Sequence, residues 1–541
     1  MNARAHPIAD AQRELPVVVV GAGMGGLVAA MRLAARGVPV VLCEAAATPG
    51  GKMRQVAPGG MPMDAGPTVF TMRWVLEELA QDVGMDMADL ALAPLPVLAR
   101  HAWSNGSQLD LYADIRASAD AIGRFSSAAE ARRFLKFCDR ARGIYQTLEG
   151  PFLRASRPNP VSLSWRVARE GAGGLGRIAP FGSLWNELGG FFQDPRLRQL
   201  FGRYATYCGS SPLQAPATLM LVAHVEQCGV WSVAGGMHQL ARVMAQWATR
   251  LGVELRYNAP VREVVVGRGG SAGAGAAAAG VKLASGEWLP AQAVVFNGDS
   301  AALAHGLLGD AARAACAAPA VAARSLSAIT WNAQARTRGM ALERHNVFFS
   351  DDSPAEFAEL SADNPAHWCL PSQPTVYVCA QDRGAGSDLG TDPARSSNRL
   401  LCLVNAPALG DTETATELPE GPLSAMALEQ MEVRMRQQLR RCGLDLDWEG
   451  EVVRTTPAEF DRLFPGSGGA LYGQASHGWQ ASFSRPGARS RIPGLYLVGG
   501  SVHPGPGVPM AALSGAQAAH AVLTDLSQRA RQRSHAGVAL Q

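Results

Sequence analysis

The sequence predicts an α/β protein built on a parallel sheet that holds a dinucleotide, joined to a second domain of mixed sheet and helices. Three observations carry this. Residues 17–20 are an unbroken valine run that feeds straight into Gly21-Ala22-Gly23-Met24-Gly25-Gly26, the composition of a strand buried on both faces. A stretch of helical composition follows over 27–36 and Gly37 closes it; a second apolar strand, 38–43, then delivers Glu44 eighteen positions after Gly26. At 541 residues the chain is too long for one compact core, so two or three interlocked domains are expected.

Each part of this opening has a physical task. Gly21 permits the tight turn, Gly23 lets backbone approach a pyrophosphate, and Gly26 lets helix and strand pack closely. The helix N-terminus offers free N–H groups and partial positive charge to phosphates. Glu44 can accept hydrogen bonds from a ribose hydroxyl. The next residues, Gly50-Gly51-Lys52-Met53-Arg54 and then Asp64-Ala65-Gly66-Pro67-Thr68, resemble the second fingerprint of flavoprotein oxidases and desaturases. In those families a GG[RK]xR segment lies along FAD. The resemblance implies FAD as cofactor, a two-domain Rossmann-like FAD/NAD(P)-binding fold, and contacts from Gly51, Lys52, Arg54, Gly66 and Thr68.

Composition bounds the function. Hydrophobic residues make up 47% and charged residues 18%, which describes a globular protein tilted to the apolar side. A net charge of +3 gives no sign of a nucleic-acid partner. Charge is nevertheless uneven: 116–203 holds fifteen basic and seven acidic side chains, a net of +8, so the remainder carries −5. Aromatic and aliphatic residues interleave with those arginines, as suits either a surface lying on an anionic membrane or a solvated basic face over an ordinary core. The nine cysteines show no CxxC and are odd in number, which reads as reduced thiols in a cytoplasmic protein without a metal site. Residues 1–15 lack the apolar core of a secretory signal. No apolar run reaches the ~18 residues that span a bilayer, so any membrane association is peripheral, at the inner face of the cell membrane.

In chain order, 1–15 reads as a loose leader and 16–100 as the first part of the FAD-binding domain. Helix is expected over 68–84, and strands over 90–98 and 101–112 with a turn at Asn105-Gly106. Residues 101–228, mainly helical after 113, begin the substrate domain, which would also face membrane. The chain returns to the FAD domain over 229–324, with a helix at 238–251, strand–turn–strand over 252–266, a low-complexity hairpin loop at 267–280 and a strand ending near Asn297. Residues 325–490 complete the substrate domain, with strands near 325–331, 375–380 and 400–405, a flexible insert at 382–397 and a helix at 424–442. Residues 491–526 close the FAD domain with a strand and a helix at 511–526. The tail 527–541 is expected to be disordered.

With both ends read, the chain resembles bacterial carotenoid desaturases of the phytoene desaturase type. The specific marks, beyond the N-terminal motifs, are Phe201-Gly-Arg-Tyr-Ala-Thr-Tyr-Cys-Gly209, Ser211-Pro212, Ala215-Pro216-Ala217, Glu226 with Gly229-Val-Trp231, and His503-Pro-Gly-Pro-Gly-Val-Pro509. The last resembles the family's HPG-x-G-[IV]-P segment. Residues 65–75, 99–103 and 377–383 resemble the hydroxyneurosporene and methoxyneurosporene desaturases. These are implied to introduce the C3–C4 double bond into acyclic 1-hydroxy or 1-methoxy carotenoids and to pass electrons to a carrier such as quinone or oxygen. The resemblance places Val264 beside the adenine, and Gly499, Gly500, Val508, Pro509 and Met510 at the flavin. One departure is Gly500-Ser501, where many flavoproteins have Gly-Asp, so no carboxylate role carries over.

Desaturation removes two hydrogens from adjacent sp³ carbons beside a polyene. Neither C–H is acidic, so hydride loss to flavin N5 comes first, leaving a cation that the conjugated chain delocalises. A weak base or water then suffices for the proton. His503 is the candidate for base or flavin contact, against the alternative of a histidine that only hydrogen-bonds within its turn. Glu226 and Asp382 are weaker candidates, set against structural carboxylates, and His101 beside Trp103 is expected to line a wall. Three other readings stand: a phytoene desaturase or carotene isomerase of the same fold, an amine oxidase, and a flavin-free isoprenoid-binding protein.

Overall fold

The fold is that of a computed structural model, which describes residues 15–156, 182–268, 276–384 and 397–538. Buried runs of Val, Ile, Leu and Ala fix its first sheet. Leu495–Leu497, Ala293–Phe296, Val17–Val20, Val40–Cys43 and Glu254–Arg256 lie side by side in that order, all parallel. The beginning, middle and end of the chain are therefore woven into one five-stranded layer.

On one face of this layer, Met24–Ala34 packs with Met237–Arg250 and with the C-terminal helix Val508–Val538 around a core that includes Leu27, Met31, Leu240, Trp247 and Val522. Two boundaries differ from expectation. The first helix opens at Met24 rather than at 27, because close packing against the turn and the terminal helix outweighs the low helix propensity of glycine. The terminal helix begins at Val508, where Pro509 suits a first turn, and runs on to Val538. The stretch after 526, expected to be disordered because it is polar, is rich in Gln, Arg and Ala, which are strong helix formers.

The second sheet has seven strands in the order Leu444–Thr455, Ser327–Gly339, Ser397–Ala406, Val376–Ala380, His345–Phe348, Val97–Ala102 and Gln108–Tyr112. It is antiparallel except where His345–Phe348 runs parallel to Val97–Ala102. Strand alternation sorts its side chains. Val376, Val378, Leu400, Cys402 and Val404 pack against Met431, Met435 and Leu439 of the helix Ala425–Arg441. His345, Val347, Tyr377, Cys379, Leu401 and Leu403 share the opposite, inner face, which looks toward the FAD-motif segments and the helical layer. That layer, Ile115–Phe125, Ala128–Leu148, Leu184–Phe191, Pro195–Gly202 and Leu221–Gln227, carries its own core around Phe134, Phe137 and Phe201.

Two strands of this sheet, His345–Phe348 and Leu444–Thr455, were not anticipated: the first is short and polar at its start, and the second is charged along its exposed side. The expected low-complexity loop is narrower than 267–280, because Ala276–Leu283 pairs with the valine-rich Val261–Arg268. The partner strand overrides the low strand propensity of alanine. Parts of that loop, of the insert at 382–397 and of the basic segment fall outside the described residues.

Candidate cofactor cradle and internal cleft

The two ends of the chain meet at one edge of the parallel sheet. The turn at 21–26 leaves the C-terminal end of Val17–Val20, and the loop from Val498 leaves the same end of Leu495–Leu497, with Ala293–Phe296 between them. Asn297, which follows that middle strand, fills the angle. Its Nδ2 donates to the Gly21 carbonyl at 3.2 Å. A methyl group on Gly23 would lie 2.7 Å from the same nitrogen, and one on Gly26 would lie 2.1 Å from the Gly21 oxygen. The sequence reading gave these two glycines to a pyrophosphate and to helix–strand packing; the contacts that exclude a side chain are with Asn297 and with the turn itself. Gly51 and Gly499 crowd the same spot, 3.2 Å from Gly23 Cα and 3.0 Å from Asn297 Oδ1 by the same measure.

Two helices begin at this edge, at Met24 and Val508, and neither carries an acid in its first turn; the first also has no side-chain cap. Their positive ends converge, since a methyl on Gly25 would stand 3.1 Å from the Ala511 carbonyl oxygen. Val508, Pro509 and Met510 form the opening turn of the second helix.

Glu44 sits at the foot of the turn, almost fully buried. Its Oε2 accepts from the Ala22 N–H at 2.6 Å and its Oε1 from the Ala46 N–H at 2.9 Å. The carboxylate thus holds the turn, and each oxygen retains a lone pair for a ribose hydroxyl. Val264 is fully buried beside Cys43 and Val41. Its N–H donates to the Leu308 carbonyl at 2.9 Å, so that donor is not on offer to an adenine.

The basic residues of the second motif lie deeper. Gly66 packs its Cα against the Lys52 carbonyl, where a methyl would come within 1.8 Å. Lys52 Nζ donates to the Leu471 carbonyl at 2.6 Å and stands over the Phe464 ring. Arg54 donates to Thr455 Oγ1 at 2.8 Å and stands over Phe460, with its Nε unpartnered. Arg485, which the sequence reading missed, is buried and donates to the carbonyls of Tyr472, Gly500 and Gln474. Burial pulls the Lys52 ammonium down and the Arg485 guanidinium down to about 10, and Asp299 is the acid whose field offsets both. Two interior cations, of which Arg485 depresses Lys52, bind only carbonyls and call for an anion. The diphosphate of FAD would meet that requirement; Lys52, Arg485, the turn and the two helix starts, neither of which carries an acid, are the groups that would hold it.

Beyond the cradle lies an internal cleft. Lys52, Tyr207, Cys208, Tyr377 and Tyr472 keep accessible surface although they lie deep in the molecule. Burial pushes the Cys208 thiol up to about 11, the Tyr472 phenol up to about 12, and those of Tyr207 and Tyr377 well above the ordinary range. Thr68 Oγ1 and Tyr377 Oη share a 2.6 Å hydrogen bond, and Tyr377 Oη lies 2.7 Å from His345 Nδ1.

The remaining candidates are placed as follows. His503 is buried, donates from Nε2 to the Phe152 carbonyl at 2.9 Å and packs edge to face with that ring. Burial takes its imidazole down to about 4, and its proton is committed to the carbonyl, leaving a bare Nδ1. Its bond reaches another segment rather than staying within the turn. Glu226 accepts from Tyr204 at 2.5 Å and from Tyr207, and burial raises its carboxyl. Asp382 is paired with Arg399 at 2.6 Å. His101 donates to the Leu109 carbonyl and lies flat beside Phe349, a wall position. Ser501, in the place of the usual acid, accepts from the Ser300 N–H at 3.1 Å. No described group of side chains has the makings of a metal site.

Comparison with known proteins bears on the family and the fold. Residues 24–333 match the sequence profile of the flavin containing amine oxidoreductases. The chain is 52% identical over 532 residues to a hydroxyneurosporene desaturase of Rubrivivax gelatinosus, covering 97% of this chain and 96% of that one. It is 43% identical over 517 residues to a hydroxyneurosporene desaturase of Cereibacter sphaeroides, covering 95% and 99%. A putrescine oxidase triple mutant redesigned in cofactor binding superposes with a TM-score of 0.57 at 14% identity, over 95% of this chain and 99% of that one.

Proposed function

We propose a reaction for a chain that belongs to the flavin-containing amine oxidoreductase family, in its hydroxyneurosporene-desaturase branch: removal of two hydrogens across C3–C4 of an acyclic 1-hydroxy- or 1-methoxycarotenoid of the neurosporene type. The protein is an FAD-dependent oxidoreductase. The observation that carries the substrate reading is the cleft, where Tyr377 of the inner sheet face hydrogen-bonds Thr68 of the cofactor motif and its cross-strand neighbour Leu403 keeps accessible surface. Bound FAD supplies the hydride acceptor. The chain's own residues then do three things.

Lys52, Arg485 and the two helix starts hold anionic groups and favour negative charge near the 499–510 loop; helix terms of this kind are worth about 0.3–2 kcal/mol each. The apolar floor orients a polyene and excludes water. No carboxylate stands free in the cleft among the described residues, as suits a proton that leaves easily from a delocalised cation. Lipid is as apolar as the cleft, so transfer of the hydrocarbon gives little net drive, and selectivity rests on polar contacts with the oxygenated end.

No helix among the described residues is long and apolar enough to cross a membrane. Peripheral attachment at the inner face of the cell membrane is the reading supported by Trp479, exposed on Gly478–Ser484, which meets Phe483 and through it Phe152. Electrons would leave to a carrier such as quinone or oxygen. The test is product analysis after incubation of the FAD-loaded protein with lipid-dispersed 1-hydroxyneurosporene, neurosporene and phytoene. The oxygenated substrate should gain a C3–C4 double bond; conversion of phytoene alone would contradict the reading.

A further inference from the structure

Arg203 is half-buried, and its Nε is a buried donor without an acceptor. It follows the helix Pro195–Gly202 and stands over the ring of Tyr377, 5.6 Å from guanidinium carbon to centroid. Its Nε is out of contact with solvent and has no acceptor, and no carboxylate lies within ion-pair distance among the described residues. The two acids whose fields it meets are engaged elsewhere. Glu226 is held by Tyr204 and Tyr207, and Glu356 by Ser350 and Thr375. An unsatisfied buried donor costs about 1–3 kcal/mol, and more when charged. A pure hydrocarbon in the cleft would leave that cost in place.

Tyr377, under the guanidinium, bonds Thr68 two residues after Gly66, which packs on Lys52. On the other side the Arg203 charge acts on the Tyr472 phenol, and the Tyr472 carbonyl accepts from the Arg485 that also binds Gly500. One residue therefore separates Arg203 from the cradle in either direction. In the reaction proposed above, the oxygen on C1 lies only two carbons from C3, so whatever reads that oxygen must stand beside the reacting end.

A hydroxyl can donate and accept, but a methyl ether can only accept, and arginine only donates. We infer that Arg203 hydrogen-bonds the oxygen at C1 of the substrate and thereby selects oxygenated ends over hydrocarbon ends, with Tyr377 as the platform that aims it. This assignment rests on the proposed function.

The experiment is a competition between lipid-dispersed 1-hydroxyneurosporene and neurosporene on the FAD-loaded enzyme, read as the ratio of kcat/KM values. Arg203→Met should lower that ratio about 10–100-fold, the scale of one charged hydrogen bond. A ratio equal to wild type, with both substrates slowed alike, would overturn the assignment and leave Arg203 a packing residue. Should Arg203→Met fail to retain FAD, Arg203→Lys keeps the charge but not the fork, and the ratio is read in the same way. A wild-type enzyme that converts no oxygenated carotenoid would instead defeat the functional reading itself.

Discussion

Gly25 and Gly515 touch where the first helix crosses the last: a methyl group built on Gly515 would lie 2.4 Å from the Gly25 carbonyl oxygen and 3.0 Å from Val28 Cβ. Helices this close bring the 21–26 turn and the 499–510 loop to one place, and the cradle depends on it.

Gly515→Val should therefore push the two helices apart. Overpacking costs about 1–3 kcal/mol, well beyond what better helix propensity returns. The melting temperature should fall and the purified protein should lose flavin. Unchanged melting and full flavin content would show that the crossing is looser than it looks.

Lys52→Met removes one of the two interior cations. FAD affinity, followed by quenching of flavin fluorescence, should drop about 10–100-fold, as for loss of a charged hydrogen bond. The apoprotein should melt no lower than wild type, because an unpaired buried charge has been removed. Affinity equal to wild type would take Lys52 out of the cradle.

Glu44 has two tasks that substitution can separate. Glu44→Gln keeps an oxygen for one N–H and should fold normally while binding FAD more weakly. Glu44→Ala also abandons the N–H groups of Ala22 and Ala46 and should cost about 1–3 kcal/mol of stability. Denaturant titration beside FAD titration distinguishes them; identical affinities for wild type and Glu44→Gln would deny any ribose contact.

Much of the cradle was legible in the sequence because it is local. Gly21 to Glu44 is one contiguous strand–turn–helix–strand, and His503-Pro-Gly-Pro-Gly-Val-Pro509 announces the terminal helix by itself. What stayed hidden is non-local. Asn297 is an unremarkable residue after a strand until the fold sets it against Gly21, Gly23, Gly26 and Gly499. Arg485 looked like one arginine among many, and only burial without a carboxylate marks it. Arg203 lay inside a motif quoted for family resemblance, but its empty donor could be seen only once Tyr377, far along the chain, was placed beneath it. The strand His345–Phe348 escaped notice for the same reason, since its neighbours on both sides supply the pairing that its own composition does not demand.

Three buried histidines set an acid limit on stability. Burial holds His101 and His503 down to about 4 and His345 down to about 3, against an unfolded value of 6.5. The unfolded chain binds their protons more readily, so their contribution is complete above pH 6.5 and is lost as pH falls toward the folded values. At pH 5 each accounts for a loss of about 2 kcal/mol. Glu226 and Glu356, raised by burial, act in the opposite sense, so the clean comparison is with a variant. Between pH 7 and pH 5, His345→Gln should lose less urea resistance than wild type; equal losses would mean that His345 is protonated in the folded protein.

The central claim is that both ends of the chain clasp one FAD beside a cleft that takes an oxygenated polyene. Its most direct test is anaerobic mixing of the flavin-loaded protein with lipid-dispersed 1-hydroxyneurosporene while the flavin absorbance is followed. The account predicts that the oxidised-flavin band bleaches in step with formation of one equivalent of 3,4-desaturated product. A protein that takes up no flavin, or one whose flavin is bleached by phytoene and not by the hydroxylated carotenoid, would contradict it.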